Sequence, residues 1–183
     1  SYSNAVKSLT EEEKDTMLKK ADTYNEKLKD VNRPFLNYAE AGDYNSILDI
    51  SGTGIIGYVT IEKLGVELPI YHGTSEGVLQ VAAGHLEGSS LPVGGEGTHS
   101  VLSAHRGLPS ARLFTNLDKM EAGDTFTVTV LDRKLTYQVD QIKIVEPQKI
   151  NDLTIEEGKD YCTLMTCTPY GINSHRLLVR GER

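Results

Sequence analysis

The feature that most constrains this fold is a series of short segments, from Ile55 onward, in which apolar and polar residues alternate. The clearest is residues 125–131, where Phe126, Val128 and Val130 recur at every second position. A period of two places these side chains on one face of a β-strand. Glycines and short polar stretches separate the segments, so the sequence predicts seven or eight short strands in an all-β barrel or sandwich. The other predicted strands are residues 55–61, 66–71, 99–105, 135–139, 142–145, 161–167 and 176–180.

The N-terminal part of the chain has a different periodicity. Residues 9–31 contain no Gly or Pro, and Thr10 with Glu13 forms a capping-box pattern. Apolar residues then recur at helical spacing until Pro34, which predicts one amphipathic helix outside the barrel. We expect residues 1–54 to be a helical appendage, in which 32–54 form a loop with a short helical turn, and residues 55–183 to be the β-domain. The apolar positions of the helix are Met17, Ala21, Tyr24, Leu28 and Val31, and shorter helical turns are predicted at 75–81 and 110–116.

Charge and hydropathy exclude some classes of function. The chain has 183 residues with 19 Lys and Arg against 26 Asp and Glu, so its net charge is −7. An acidic balance argues against a nucleic-acid partner, which requires a basic face. The sequence contains no stretch of about 18 apolar residues, so it predicts no membrane span. We interpret the chain, which begins at Ser1 and not at Met, as a processed or trimmed form.

The two cysteines, Cys162 and Cys167, lie five residues apart in one predicted strand. That separation is about 16 Å in extended chain, which is too far for a disulfide. Strand alternation places them on opposite faces, so Cys162 is interpreted as a small core residue. Cys167 ends its strand before a Pro-Tyr-Gly turn, where a thiol can be exposed and face a cleft.

Two further residues suit chemistry at such a thiol. His105 ends another predicted strand, and Arg176 begins the last one. A free thiol has a pKa of about 8.5, so a neighbouring imidazole or guanidinium would increase the reactive thiolate. An arginine also offers a planar fork of donors to a developing oxyanion. Together the three would form an acyl-transfer site, although each alone is also consistent with a structural cysteine, a turn histidine or a surface ion pair.

The remaining histidines do not predict a metal site. His72, His85, His99 and His175 show no His-x-His or His-x-x-x-His spacing. Strand alternation also places His175 on the opposite face from Arg176, so it is not expected to be the catalytic base.

The segments that contain Cys167, His105 and Arg176 resemble those of the sortases. Residues 163–167 (TLMTC) match the sortase TLxTC signature, residues 101–107 (VLSAHRG) resemble the catalytic-histidine segment, and residues 174–181 (SHRLLVRG) resemble the arginine segment. The resemblance covers about residues 55–183 in family order. It is closest to class C, the pilus-assembling sortases of Gram-positive bacteria, through the stretches 68–74, 84–92 and 167–173.

The resemblance implies a closed eight-stranded sortase-type β-barrel and a cysteine transpeptidase. Cys167 would attack the Thr–Gly bond of an LPxTG-like sorting signal and form a thioacyl enzyme. His105 would act as acid and base, and Arg176 would bind the substrate backbone or stabilise the oxyanion. The acceptor in pilus sortases is a pilin lysine, and no metal or organic cofactor is implied. Within the same motifs, the candidate substrate-binding residues are Thr166, Ser103 and Leu164.

Class C sortases also carry an N-terminal lid over the active site, anchored by an Asp-Pro-aromatic motif. The equivalent here is Arg33-Pro34-Phe35, in which Arg occupies the Asp position. Closure through an Asp is therefore not expected, whereas capping by Phe35 is retained; the alternative is that Pro34 only ends the helix. The resemblance further implies membrane anchors outside this chain and a location on the extracellular face of the membrane, associated with the cell wall.

Two other functions stay open at this point. One is a sortase that anchors proteins to the cell wall through a peptidoglycan amine, and the other is a non-catalytic binding domain with a sortase-like fold. The identity of the acceptor separates the first from a pilus sortase, and the reactivity of Cys167 tests the second.

Overall fold

The alternating segments of the sequence form the strands of a closed barrel. The structure is a computed structural model that describes residues 1–106 and 113–183. Within these residues there are eight strands, so the predicted all-β barrel is confirmed. They are β1 (Ile55–Ile61), β2 (Val66–His72), β3 (Ala83–His85), β4 (Thr98–Ser103), β5 (Thr125–Val130), β6 (Arg133–Val145), β7 (Asp160–Thr168) and β8 (His175–Glu182).

The strand order brings segments that are distant in sequence next to each other. Around the barrel it is β1-β2-β3-β4-β7-β8-β6-β5, and β5 closes the barrel on β1. The pairs β2–β3 and β4–β7 are parallel, whereas the other pairs are antiparallel. Strand β7 therefore lies between β4 and β8, which are distant from each other in sequence.

Two strands differ from the sequence prediction. The predicted strands at 135–139 and 142–145 are one strand, β6, whose register shifts between Val139 and Gln141. This irregularity changes which face the apolar residues occupy, and a change of alternation in sequence resembles the end of a strand. Strand β3 was not predicted, because three residues, Ala-Gly-His, are too few to show a period.

The helices lie mainly at the N-terminus. The long helix α2 begins with the predicted capping box, in which Thr10 and Glu13 exchange hydrogen bonds of 3.0 Å. Residues 32–54, predicted as a loop with a short helical turn, contain the short helix α3 and two 3₁₀ turns. The prediction for 110–116 lies partly outside the described residues, and 113–116 are not helical. The helices are α1 (Tyr2–Lys7), α2 (Glu11–Leu28), α3 (Pro34–Asn37) and α4 (Glu76–Leu79), with 3₁₀ turns at Tyr38–Ala41, Tyr44–Ser46, Glu62–Leu64, Leu117–Lys119 and Asn151–Leu153.

The N-terminal helices lie outside the barrel and pack closely against it. Tyr24 and Leu28 of α2 are 1% exposed and belong to the same buried cluster as the barrel interior. Asn25 donates to the Leu91 carbonyl at 3.1 Å and accepts from its amide at 2.7 Å. Because this segment contributes to the core, its removal would expose apolar surface of the barrel as well as of the helix.

In the described parts of the chain, no helix is both long enough and apolar enough to cross a bilayer.

Candidate active site

The two cysteines lie on opposite faces of β7, as strand alternation predicts. Cys162 is completely buried in the barrel interior, and burial raises the pKa of its thiol far above the ordinary value. Cys167 is partly exposed near the end of the strand. Both are free thiols, so Cys162 is an inert core residue and Cys167 is the accessible nucleophile candidate.

Strand register brings Arg176 next to Cys167. The two residues are directly opposite each other in the antiparallel pair β7–β8. Side chains at opposite positions of such a pair project from the same face of the sheet. His175 is instead opposite Thr168, and its ring contacts the Ser174 hydroxyl at 2.8 Å. The structure therefore places Arg176, and not His175, on the face that carries Cys167.

The parallel pair β4–β7 brings His105 to the other side of Cys167. Ser103 is paired with Met165, and the Ala104 amide then donates to the Met165 carbonyl at 3.2 Å. His105 and Cys167 each lie two residues beyond that pair. Cys167 thus lies between the segment that follows β4, which contains His105, and the start of β8, which contains Arg176.

His105 is held by a short helix that the motifs did not include. Its Nε2 lies 2.7 Å from Oε1 of Glu76, the first residue of α4. This hydrogen bond and the charge of the imidazolium hold the pKa of the Glu76 carboxyl below its ordinary value. The backbone amide of His105 also donates to the Leu79 carbonyl at 3.3 Å. Sequence reasoning placed Glu76 only in a predicted helical turn, with no signal for its partner.

Arg106, which follows His105, connects the histidine segment to the nucleophile strand. Its side chain is 7% exposed, and its guanidinium donates to the Cys167 carbonyl at 3.3 Å and to Asp118 at 3.0 Å. A buried arginine that is hydrogen-bonded at several points resists displacement. Sequence reasoning also missed this residue, because its partners are distant in sequence.

The Arg176 guanidinium is only partly engaged. Its Nη1 donates to the carbonyls of Asn173 at 3.2 Å and His175 at 3.0 Å. Within residues 1–106 and 113–183, Nε and Nη2 have no hydrogen-bond partner. These two groups can therefore donate to a substrate carbonyl while Nη1 holds the turn between β7 and β8.

The three predicted substrate contacts occupy different positions. Leu164 is completely buried in the barrel core, and Thr166 is 2% exposed, with its hydroxyl donating to the Ala104 carbonyl at 2.7 Å. These two residues support the site from inside the barrel, so a direct contact with substrate is not consistent with their burial. Because successive strand residues point to opposite faces, Ser103 lies on the face opposite to buried Leu102, which is the face of His105. It is 9% exposed and is the one of the three that faces the site.

Phe35, in the segment predicted to be a lid, packs against an apolar cluster of Val101, Leu153 and Leu178 on the outside of the barrel. Met165 is also packed against this cluster. Met165 is opposite Leu178 in β7 and β8, and the next pair on the same face of the sheet is Cys167 with Arg176. Phe35 therefore lies along the sheet face that leads to the candidate nucleophile, whereas Arg33 is exposed at the start of α3 with a φ of 54°.

Gly88 is the residue on which this segment rests. A Cβ at Gly88 would lie 2.5 Å from Phe35 Cα and 2.7 Å from the Pro34 carbonyl oxygen. Real Cβ atoms do not approach other atoms this closely, so only glycine allows the Pro34–Phe35 backbone to pack at this position.

No metal centre competes with this site in the part of the chain that the structure describes, where no group of three or more His, Cys, Asp or Glu side chains could hold an ion. An accessible thiol, an imidazole and a guanidinium at neighbouring strand ends are the arrangement that cysteine-dependent acyl transfer requires. The fold and the site together define a cysteine acyltransferase class of protein built on a closed β-barrel.

Comparison with known proteins defines the family. The model of the sortase domain matches residues 59–183. The crystal structure of sortase C1 from Streptococcus agalactiae is 51% identical with a TM-score of 0.91, and the match covers 100% of this chain and 95% of that one. The crystal structure of sortase C from Streptococcus pneumoniae is 49% identical with a TM-score of 0.88, and the match covers 99% of this chain and 93% of that one. The chain belongs to the sortase family, and the expected resemblance to class C sortases is confirmed.

Relatives outside class C are more distant. Sortase D from Bacillus subtilis is 30% identical over 130 residues, which are 69% of this chain and 63% of that protein. Sortase A from Streptococcus agalactiae serotype III is 29% identical over 131 residues, which are 70% of this chain and 52% of that protein. The chain thus spans about half to two thirds of the length of these curated relatives.

Proposed function

We propose that this chain is the catalytic part of a pilus-assembling sortase, which cleaves the Thr–Gly bond of an LPxTG-like sorting signal and transfers the acyl group to a pilin lysine. The observation that carries the proposal is the position of Cys167, opposite Arg176 in register and beside β4, after which His105 follows by two residues. The nature of the solved relatives supports it. One is described as a pilus-related sortase C of group B Streptococcus, and another, from Clostridium perfringens, was solved with a C-terminal cell wall sorting motif.

The first half of the reaction breaks the Thr–Gly bond. The Cys167 thiolate attacks the threonine carbonyl carbon, and the free donors of Arg176 bind the oxygen that becomes anionic. The imidazolium of His105 gives its proton to the glycine nitrogen as the C–N bond breaks. The products are a thioester on Cys167, a glycine amine and a neutral His105.

The second half transfers the acyl group. A lysine ε-amine attacks the thioester carbonyl, and neutral His105 accepts the proton that the nitrogen loses. The thiolate of Cys167 then leaves, which restores the starting state of the enzyme and forms an isopeptide bond. A thioester intermediate suits this exchange, because one thiol holds the acyl group while one amine replaces another.

We further propose that Arg33-Pro34-Phe35 covers the site until substrate displaces it. The packing of Phe35 against the apolar cluster that contains Leu178 supports this role, since Leu178 and its partner Met165 precede Arg176 and Cys167 on the same sheet face. The exposed Arg33 cannot reproduce an Asp contact with a guanidinium, so in this chain the aromatic residue is the part of the motif that covers.

The proposed substrates also indicate where the protein acts. Pilins that carry sorting signals are polymerised at the cell surface, so the full-length protein would be anchored in the membrane by segments outside this chain. Its catalytic part would then face the extracellular side, next to the cell wall.

The identity of the acceptor tests the proposed function. The chain is incubated with an LPxTG-type peptide and, in parallel, with a lysine-containing pilin peptide, a peptidoglycan stem-peptide amine or no amine. We expect the isopeptide product with the lysine peptide and not with a matched peptide whose lysine is acetylated. A product with the stem amine alone would indicate cell-wall anchoring instead. No consumption of the sorting peptide by a chain whose Cys167 alkylates readily would indicate a non-catalytic binding domain.

A further inference from the structure

Glu76 is the carboxylate closest to the proposed acid–base residue. Its Oε1 lies 2.7 Å from His105 Nε2, and its side chain is 71% exposed, whereas that of the histidine is 27% exposed. We propose that Glu76 is a positioning residue that orients the His105 ring and keeps the proton on Nε2. This inference rests on the proposed function, since it assigns a role to the same histidine.

Helix α4 holds His105 at two points. At its first residue the Glu76 carboxylate bonds to the ring, and at its last residue the Leu79 carbonyl accepts the His105 amide at 3.3 Å. The helix is itself packed on β3, where a Cβ on Gly84 would lie 3.2 Å from a methyl of Leu79. The carboxylate is therefore presented by an element that is fixed to the barrel, and both the backbone and the ring of His105 are set by that element.

The other charged groups at this end of the barrel have different partners. Arg106 is paired with Asp118, and Arg176 donates to two backbone carbonyls. Gln80 donates to the same Glu76 oxygen at 3.5 Å, which is a long contact. Among the described residues, Glu76 is the one carboxylate that bonds to His105.

The contact determines which ring nitrogen exchanges protons. Because the ionised Glu76 only accepts, Nε2 must donate and retains its hydrogen in both charge states of the ring. Nδ1 is then the atom that gives a proton to the leaving glycine amine and takes one from the incoming lysine amine. Glu76 stays ionised throughout, so it gains and loses no proton in the cycle.

Two substitutions separate the charge of Glu76 from its hydrogen bond. E76A removes both, whereas E76Q keeps an acceptor oxygen and removes the charge. E62Q is the matched control, because Glu62 is also an exposed first residue of a helical turn and its substitution changes the net charge equally. We expect E76A to lower kcat about tenfold and to leave KM and Tm unchanged. This loss is smaller than the roughly 10²- to 10⁴-fold that general acid–base catalysis supplies, because His105 itself remains.

The activity of E76Q and the ring tautomer distinguish positioning from a structural role. E76Q keeps an acceptor oxygen for the ring and should retain more of kcat than E76A, whereas E62Q should retain all of it. In nitrogen NMR spectra of the imidazole, neutral His105 should be the Nε2–H form in the unsubstituted chain and a mixture of tautomers in E76A.

The two proposals fail in different ways. If the unsubstituted chain does not turn over sorting peptides, the proposed function is wrong, and the tautomer measurement still decides the role of Glu76. If neutral His105 shows the same tautomer mixture in the unsubstituted chain and in E76A, Glu76 does not position the ring. The same conclusion follows if E76A and E76Q match E62Q in kcat.

Discussion

At the scale of single residues, the site depends on one cross-strand pair. Cys167 and Arg176 are opposite each other in β7 and β8, so the guanidinium is presented to the thiol by backbone register and not by a mobile loop. Register in a closed barrel is strongly specified, because a slip by one residue would move every inward side chain outward. The spacing between nucleophile and guanidinium is therefore fixed by the fold itself.

Substitution of Arg176 by Lys tests the role of the planar donor fork. R176K retains a positive charge but cannot present Nε and Nη2 together to one carbonyl. We expect kcat/KM for a sorting peptide to fall by about 10²-fold or more, a loss comparable to that of one oxyanion donor. Peptide cleavage assays at fixed pH provide the measurement.

The control for this substitution lies on the same strand. R180K removes another guanidinium, which pairs with Asp140 and covers the Tyr161 ring at 3.9 Å, away from Cys167. It should leave kcat/KM within about twofold of the unsubstituted chain. Equal activities of R176K and R180K would show that charge alone suffices, contrary to the proposed mechanism.

At the scale of elements, the segment that begins at Arg33 is the part proposed to control access. It is positioned by α2, whose buried face includes Tyr24 and Leu28, and by its close backbone packing on Gly88. Since α2 contributes to the core, deletion of the N-terminal segment would confuse loss of the lid with loss of stability. A point substitution beneath the segment is the sharper test.

Substitution of Gly88 by Ala should open the lid segment. The added Cβ would overlap Phe35 Cα and the Pro34 carbonyl, so this backbone must move away from the barrel. We expect the alkylation rate of Cys167 by a small thiol reagent to increase several-fold. The rate is followed by intact mass, and buried Cys162 should stay unmodified.

Gly123 provides a matched control for this experiment. Its φ of 96° is close to the 93° of Gly88, yet a Cβ there would meet no atom within 4 Å. Both substitutions should cost about 1–2 kcal/mol because of the positive φ, but only G88A should accelerate alkylation. Equal alkylation rates in G88A and G123A would show that Pro34 and Phe35 do not cover Cys167.

The elements also show which features the sequence could predict. Strands such as β5, with Phe126, Val128 and Val130 inward, are set by local alternation and were predicted closely. Strand β6 was divided in two, because its irregularity at residues 139–141 is fixed by pairing with β8, which local periodicity does not show.

The same limit applies to the site. Cys167, His105 and Arg176 were found through local motifs, and their alignment follows once the strand order is known. Glu76 and Arg106 were missed because their functional partners are 29 and 61 residues away in sequence, so no local pattern indicates the contacts. Leu164 and Thr166 belong to the TLxTC motif, but alternation along β7 places both inside the barrel.

At the scale of the whole molecule, two buried histidines couple folding to pH. His85 is completely enclosed, accepts from the Tyr44 hydroxyl at 2.7 Å and donates to the Ser90 carbonyl at 2.7 Å. His99 is buried between Thr154 and Thr163. Burial lowers the pKa of each ring from 6.5 to about 4, so both are neutral in the folded chain at pH 7.

Stability should therefore decrease in mild acid. Between pH 6.5 and 4 the unfolded chain binds protons at these histidines that the folded chain does not, so the free energy of unfolding is highest above pH 6.5 and falls toward pH 4. Protonation of these two histidines in the unfolded chain alone would lower the free energy of unfolding by roughly 3 kcal/mol for each ring. That is a large part of the stability of a typical domain. Urea unfolding at pH 7, 6 and 5 measures this decrease.

H99Q should make the decrease smaller, since it removes one of the two buried histidines. An unfolding free energy that is constant between pH 7 and pH 5, or a slope that is the same in H99Q, would show that these buried rings do not control acid stability.

The central claim is that the barrel presents Cys167 for acyl transfer, and intact mass spectrometry tests it most directly. The unsubstituted chain and C167A are mixed with an LPxTG-type peptide, quenched in acid to preserve thioesters and weighed. The account predicts an added mass equal to that of the acyl group that ends at threonine. This adduct should map to Cys167 and be absent from C167A. An adduct that persists in C167A, or no adduct on a chain whose Cys167 alkylates freely, would contradict it.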